Sequence, residues 1–401
     1  MKGAAFDSLA KLLEPCPEGE FLDSSWGKAF RHVRGGAGKF SGLMPWESLN
    51  EILGRNRLDF PRLRIVRDGK TVPAADYIRH VKPRRGATIP RLVPAEIISQ
   101  LRGGATLVLD AVNELHEPVE ELAAALEFKF HESVQVNLYA GWQTSRGFDL
   151  HWDDHDVFIL QVAGRKRWSL YGETRPNPVS GDAEEAERPA GPPVWDETLE
   201  DGDLLYIPRG CWHVAFPLAE PTLHLTVGVH KRRGLDLLRW LSERMKASEA
   251  FRADLPRFAS QEERRAHMAR LREEFLAEWD AEALERFFAE ADAKAEPRAR
   301  LSLPWSATTE ALPPDGGAVV RWAPPRPVEF KVEGGVVEFE CIGRRWRFSE
   351  DALTVLRPLS ERRVCTVAEL CEGAQKRLAE RTVRALLRDL LLNGLVAVVD
   401  A

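Results

Sequence analysis

Between His131 and Val229 the chain is a succession of short segments in which apolar and polar residues alternate, each closed by Gly or Pro. Neighbours on a strand point to opposite faces, so a period of two marks a half-buried strand. In HESVQVNLYAG, Val134, Val136 and Leu138 fall on one face, and Gln135, Asn137 and Tyr139 on the other. DVFILQV (156–162) and RKRWSLYG (165–172) follow, with Ala163-Gly164 expected as the two-residue turn of a hairpin between them. DLLYIP (203–208), CWHVAFP (211–217) and TLHLTVGV (222–229) complete the run. Many short strands with Gly/Pro turns specify a sandwich or barrel, the jelly roll among them. Further upstream, Leu63, Arg64, Ile65 and Val66 read as a strand ending in an Asp68-Gly69 turn.

The 401 residues exceed what one ordinary core organises, and the pattern changes twice. Residues 1–232 read as the β domain with its N-terminal elements. From 233 to about 310, LDLLRWLSERMKASEAF and QEERRAHMARLREEFLAEWDAEALERFFAEADA carry helical apolar spacing and charged faces. An APPRP linker (323–327) lies within the last stretch, 311–401, where the hairpin-like VVEFECIGRRWRFS precedes three helices and a terminal strand, LVAVVD. That order predicts a winged helix. Residues 172–202, rich in Gly, Pro and acidic groups, read as a long loop, either a lid or a solvated insertion.

Composition narrows the class. With 44% hydrophobic and 29% charged residues, the chain is ordinary for a soluble protein. No apolar run reaches the ~20 residues that cross a bilayer, and the N-terminus lacks the apolar stretch of a secretion signal. A soluble, cytoplasmic protein is expected. The five cysteines are scattered without a C-x-x-C pair, which predicts free thiols. A net charge of −6 gives no general attraction to nucleic acid and leaves room for a basic partner. Residues 351–401 hold eight Lys/Arg against seven Asp/Glu, so direct nucleic-acid binding is not expected there.

The chemistry lies in GFDLHWDDHDVFILQVAGRKRWSLYG, which contains His151-Trp152-Asp153, and in PRGCWHVAF, which contains His213. Two imidazoles and one carboxylate on neighbouring strands can cap one face of an octahedral ion and leave three positions open. On an extended segment, residues i and i+2 point the same way, as His-x-Asp requires. If 151–162 stays in register, His151, Asp153, Val157, Ile159 and Gln161 share a face. The expected hairpin then sets Lys166 opposite Gln161, facing the same interior. A buried cation is costly unless an anion meets it. A lone H-x-D occurs often by chance, and His155, His224 or His230 could replace either histidine ligand. It is the combination that points to a metal.

These segments are similar to the ribosomal oxygenase branch of the JmjC (cupin-type) Fe(II)/2-oxoglutarate oxygenases. The carriers are VNLYAG (136–141), HWDDHDVFILQVAGRKRW (151–168), GDLLYIPRGCWH (202–213) and HLTVGV (224–229). The resemblance implies a double-stranded β-helix catalytic domain, a helical dimerisation module and a C-terminal winged helix. It assigns iron to His151, Asp153 and His213, and 2-oxoglutarate to Lys166 with Thr226 as a second contact. Asn137 and Tyr139 fall where the family contacts co-substrate or target. The implied activity, with O₂ as second co-substrate, is hydroxylation of a protein or peptide side chain, ribosomal proteins favoured, by a homodimer. Asp154, Asp156, Glu173 and the acidic residues of 182–200 read first as a solvated rim and second as an attraction for a basic substrate.

Two departures leave the oxidised residue open. The bacterial arginine hydroxylases of the family carry Arg where this chain has Lys166. The histidine hydroxylases carry Ser where it has Gly228. Competing expectations are a tailoring oxygenase acting on a small peptide precursor or an amino acid, and a non-catalytic metal-binding cupin. A demethylase shares the chemistry, but no recognisable aromatic cage for methylammonium is present.

Overall fold

A computed structural model describes residues 6–84, 86–143, 147–182, 187–308, 312–314 and 316–400. The chain divides into two compact units, Met1–Lys231 and Arg232–Ala401. The first unit begins with α1 (Leu9–Leu13), α2 (Glu18–Ser24), β1 (Arg31–Val33), α3 (Trp46–Arg55), β2 (Leu63–Arg67), β3 (Lys70–Thr71), β4 (Ile78–Val81), β5 (Ile89–Leu92), α4 (Pro94–Arg102), β6 (Thr106–Leu109) and α5 (Glu117–Phe130). Seven strands follow and close the unit: β7 (Ser133–Gly141), β8 (Asp156–Ala163), β9 (Lys166–Glu173), β10 (Trp195–Leu199), β11 (Leu204–Ile207), β12 (Cys211–Pro217) and β13 (Thr222–His230).

The larger sheet runs β1-β11-β8-β13-β7-β6-β2-β3 and the smaller one β10-β9-β12. The period-two reading explains the layering. Along β13, Leu223, Leu225, Val227 and Val229 are fully buried in a core shared with α1, α2, α3 and α5 through Leu12, Phe21, Leu49 and Leu122. The alternate residues, His224, Thr226 and Gly228, face the other way. On that inner side a second cluster joins Val157 and Ile159 (β8), Leu205 and Ile207 (β11), Trp168 and Leu170 (β9), Leu199 (β10) and Cys211 (β12), and so fills the space between the two sheets. This is the jelly-roll arrangement expected from the sequence, with one sheet face dry against helices and the other lining an interior.

Three expectations need correction. Ala163-Gly164 is no hairpin turn: β8 lies between β11 and β13 in the larger sheet, whereas β9 pairs with β10 and β12 in the smaller. The turn is a corner between sheets. Gly164 sits at φ 65°, and a Cβ there would stand 2.1 Å from the Pro221 carbonyl oxygen, so the corner needs glycine. Residues 172–202 are not all loop, because Trp195–Leu199 pairs antiparallel with β9 as β10. Residues 183–186 of that segment lie outside the described residues. Finally, Asp156 is fully buried, accepting from Tyr206 Oη at 2.5 Å and pairing with Lys231 Nζ at 2.6 Å, so it draws no substrate.

The second unit carries α6 (Gly234–Arg244), α7 (Glu249–Arg252), α8 (Gln261–Glu278) and α9 (Ala283–Ala293), then β14 (Val319–Trp322), β15 (Lys331–Glu333), β16 (Val336–Cys341), β17 (Arg344–Ser349), α10 (Leu353–Arg362), β18 (Val364–Thr366), α11 (Val367–Ala374), α12 (Glu380–Leu392) and β19 (Val396–Asp400). Ser260 and Glu263 start α8 with a reciprocal capping box, and Thr366 and Glu369 do the same for α11. β16 and β17 form the anticipated hairpin, turning at Ile342-Gly343. The strands β18-β14-β19 and helices α10 to α12 share a core that includes Trp322, Leu356 and Leu387.

Leu225 is wholly buried, between β7 and β8. Leu225→Ala is expected to cost about 2–5 kcal/mol of stability, read as a lowered midpoint in chemical denaturation. A loss below ~0.5 kcal/mol would contradict this packing.

Candidate metal centre and its cavity

His151 lies before β8 and is not part of its ladder. It is held instead by β12: His151 N donates to His213 O at 3.1 Å, and His213 N donates to His151 O at 2.7 Å. Residues that exchange both backbone hydrogen bonds in an antiparallel pair send their side chains to the same face. The two rings accordingly meet, with centroids 4.4 Å apart. A register shift between Trp212 and His213, where β12 passes β9, marks the local irregularity that aims His213. Asp153 Oδ2 approaches His213 Nε2 to 3.6 Å. One ligand-capable atom from each of His151, Asp153 and His213 lies within 4.8 Å of the others.

The tautomers suit a metal. His151 Nδ1 lies 2.8 Å from Asp149 O, and His213 Nδ1 lies 2.9 Å from Cys211 O. A carbonyl only accepts, so each Nδ1 carries the proton and each Nε2 keeps its lone pair. Burial, with the neighbouring His151, holds His213 neutral well below the ordinary imidazole range.

The triad opens on a cavity of about 190 Å³, lined also by Arg64, Thr106, Tyr139, Phe148, Lys166, Trp168, His224 and Thr226. That is below the roughly 300–1,000 Å³ of sites for drug-sized ligands. Lys166, only 5% exposed, contributes the first residue of β9. It faces the interior as expected, although through the sheet corner and not through a hairpin. No hydrogen-bond or ion-pair partner meets its ammonium among the described residues, and burial pulls its pKa down to about 7. His224 stacks on Tyr139 with centroids 4.9 Å apart and meets Trp168 edge-on at 5.5 Å. Its imidazole is held neutral by burial and by the charge of Lys166. Among the described residues, His224 Nδ1 and Thr106 Oγ1, and with them Arg64 Nε and Trp168 Nε1, are buried without a hydrogen-bond partner. Orphaned buried polar atoms are rare and call for a missing partner.

Of the residues singled out from sequence, His151, Asp153, His213, Lys166, Thr226 and Tyr139 line this one cavity. Asn137 does not; its Oδ1 accepts from Ala111 N and Gln135 Nε2, both at 3.0 Å. Neither His155 nor His230 joins the triad; their rings lie tilted against each other with centroids 4.3 Å apart. Sequence reasoning gave His224 no place beside Lys166 and did not find Thr106. For His224 the signal was available, because it shares the inner face with Thr226 two positions on.

Comparisons with known proteins bear on the fold. The JmjC domain family model (JmjC_2) matches residues 114–237. The bifunctional lysine-specific demethylase and histidyl-hydroxylase NO66 of Drosophila grimshawi is 32% identical over 232 residues, covering 56% of this chain and 31% of that protein. The NO66 protein of Dictyostelium discoideum is 30% identical over 229 residues, covering 55% of this chain and 42% of its own length. The chain thus spans less than half of these relatives. Among solved structures, E. coli ycfD superimposes with a TM-score of 0.57 at 19% identity, over 95% of this chain and 98% of that one. The E. coli ribosomal oxygenase YcfD in complex with cobalt and 2-oxoglutarate gives a TM-score of 0.55 at 19% identity, with the same coverage. The fold is shared.

Cobalt(II) is expected to bind the purified protein at one equivalent, with a visible d–d spectrum. Asp153→Ala should weaken it by more than the roughly 10–100-fold that loss of an outer-shell partner costs. Unaltered titration of that variant would remove Asp153 from the site.

Proposed function

We propose that this chain, whose residues 114–237 form a JmjC domain, is an Fe(II)- and 2-oxoglutarate-dependent dioxygenase that hydroxylates a side chain of a protein or peptide, with a ribosomal protein as the favoured target. The observation that carries the reading is one cavity with a two-histidine, one-carboxylate cluster on its wall and, among the described residues, a buried unpartnered ammonium beside orphaned polar atoms that include His224 Nδ1 and Thr106 Oγ1. A metal answers the first feature. A small dicarboxylate answers the second.

In this reading His151, Asp153 and His213 would hold iron through Nε2, a carboxylate oxygen and Nε2. Bound there, iron supplies the oxidative decarboxylation of 2-oxoglutarate and the oxidation of an unactivated C–H bond. The chain's own residues do the positioning. Lys166 neutralises the far carboxylate of 2-oxoglutarate, and Thr106 Oγ1 has a hydroxyl to donate to it. Thr226 lines the wall beside them. Tyr139, stacked on His224, closes the side of the cavity and limits water. Asn137 acts from behind by fixing the Ala111 turn.

Succinate should form from 2-oxoglutarate with Fe(II), ascorbate and a basic peptide library; none at all would leave a metal-binding cupin without turnover. Lys166 gives a pH signature. Below about 7 its ammonium is already present. Above that, binding the dicarboxylate must take up a proton, so affinity falls towards ~tenfold per pH unit. The KM for 2-oxoglutarate should therefore rise between pH 7 and 9, and Lys166→Arg, charged throughout, should flatten the profile. Equal slopes in both proteins would exclude Lys166 as the anchor. Intact masses of ribosomal proteins from a deletion strain, one of them lighter by a single oxygen, would identify the target.

The second unit extends the proposal. Leu235, Leu238 and Phe258 are exposed, at 50%, 44% and 97%. Trp240 is spent internally, donating to Glu290 at 2.8 Å and packing on Phe287. We assign α6 to α9 to pairing of two copies and residues 311–401 to a winged helix that contacts protein, given its balanced charge. No helix among the described residues is long and apolar enough to cross a membrane, and a cytoplasmic location is part of the same proposal. Light scattering should return twice the chain mass, and Leu235→Asp with Leu238→Asp should halve it.

A further inference from the structure

The net charge of −6 conceals a stretch of the opposite sign: residues 77–95 hold five Lys or Arg and no Asp or Glu. That stretch carries the hairpin of β4 and β5, and its cations are spread over both strands and the turn. The base of the hairpin is fixed. Tyr77 and Ile78 are buried, Tyr77 Oη donates to Leu63 O at 3.3 Å, and Val93 N donates to Tyr77 O at 2.9 Å. Arg79, Lys82, Arg84 and Arg91 are all exposed, and none has an ion pair or side-chain hydrogen bond among the described residues.

The strand register makes this arrangement costly. Arg79 lies directly opposite Arg91. Residues so placed share a face with Cβ atoms about 5 Å apart, and like charges there destabilise a sheet. The hairpin β16–β17 is built the other way: Glu338 faces Arg347 and Glu340 faces Arg345, each pair closed at 2.7 Å. Guarding a sheet edge against stray pairing takes charge, but not charge of one sign. The repulsion within β4–β5 is relieved by an anion from outside the chain.

A neighbouring side chain narrows the kind of anion. Asp59 Oδ2 lies 2.8 Å from His80 Nε2, which brings the segment ahead of β2 against β4. The next residue, Phe60, is 55% exposed. An open ring beside unneutralised arginines offers a face to a base and charge to its phosphates. Carboxylates of an acidic polypeptide would leave the ring unused. A membrane surface calls for a broad apolar face, and among the large apolar side chains of β4 and β5 only Val81 is exposed.

We propose that the β4–β5 hairpin, with Phe60 at its flank, binds single-stranded nucleic acid, Arg79 and Arg91 holding phosphates and Phe60 stacking a base. Contacts of this kind ignore base identity, so the surface gives affinity without sequence preference. It stands apart from the dioxygenase reading, since none of these residues lines the cavity.

The test titrates the full chain against a fluorescein-labelled oligouridylate or oligothymidylate of about twenty nucleotides, longer than one binding site, and follows anisotropy. An RNA duplex, phosphatidylglycerol vesicles and polyglutamate serve as competitors. One or both strands should bind, the tighter of the two telling RNA from DNA. With four cations engaged, log K should fall with log salt at a slope of about −3. Arg79→Glu removes one charge and neutralises Arg91 across the strands. It should cost about 25-fold at about 0.1 M salt and flatten the slope by about 1.4. Its unfolding midpoint should not fall, because a like-charge pair becomes an opposite one. Lys82→Gln with Arg84→Gln, in the turn and outside the ladder, should cost a similar factor. Phe60→Ala should weaken binding about tenfold with the slope unchanged. Binding of neither strand, full affinity in the charge variants, or displacement by vesicles or polyglutamate more readily than by unlabelled strand would overturn the proposal. Full affinity in Phe60→Ala, or a duplex that competes as well as the single strand, would overturn its single-strand part. Succinate enters none of these readouts, so this inference and the dioxygenase reading fail separately.

Discussion

Two backbone hydrogen bonds between His151 and His213 set the geometry on which the rest of the site depends. Outside any named ladder, they stitch the segment ahead of β8 to β12, and pairing of that kind leaves the side chains no choice but a common face. Asp153 follows from the same act, two residues on. The imidazoles are then oriented by carbonyls of their own segments, Asp149 and Cys211, so that main chain fixes both the position and the tautomer of each ring. A site built this way owes little to side-chain packing and much to strand register.

The cavity is arranged at the expense of stability. An unpaired ammonium, a neutral imidazole with an orphaned nitrogen and a hydroxyl without a partner are all buried in one small space. Each favours the unfolded chain, where water would satisfy it. The dry face of the larger sheet offsets this, with fully buried Leu138, Leu160, Leu225 and Val227 against the helices. An anion entering the cavity relieves the same penalties, so occupancy and stability are linked.

What could be read from sequence follows the range of the forces involved. β7, β12 and β13 declare themselves because one face of each strand is buried and the other lines the interior, and that alternation is local. The His-x-Asp pair and the distant His213 were legible for the same reason. The corner at Gly164 was not, since a glycine turn looks the same whether the next strand folds back or joins another sheet; the partner is chosen by contacts far along the chain. β10 escaped notice because WDETL is half exposed and set among prolines and acids. Thr106 had no mark at all, as what sets it apart is a buried hydroxyl without a partner among the described residues. Asp156 misled in the opposite direction, a charge in an acidic stretch that is in fact sealed between Tyr206 and Lys231.

β9 and β12 carry both ends of the cavity. Lys166 is paired with Pro217 and Leu170 with His213, so the same four steps of each strand separate the buried lysine from His213. Four residues of strand span about 13 Å, less the reach of the lysine, and neither strand can stretch. The pair is in effect a caliper of fixed opening, with Trp168 at its midpoint touching His213, Lys166 and His224. A molecule obliged to touch both jaws is gauged by its length, and adding or removing one carbon leaves it gripped at only one end.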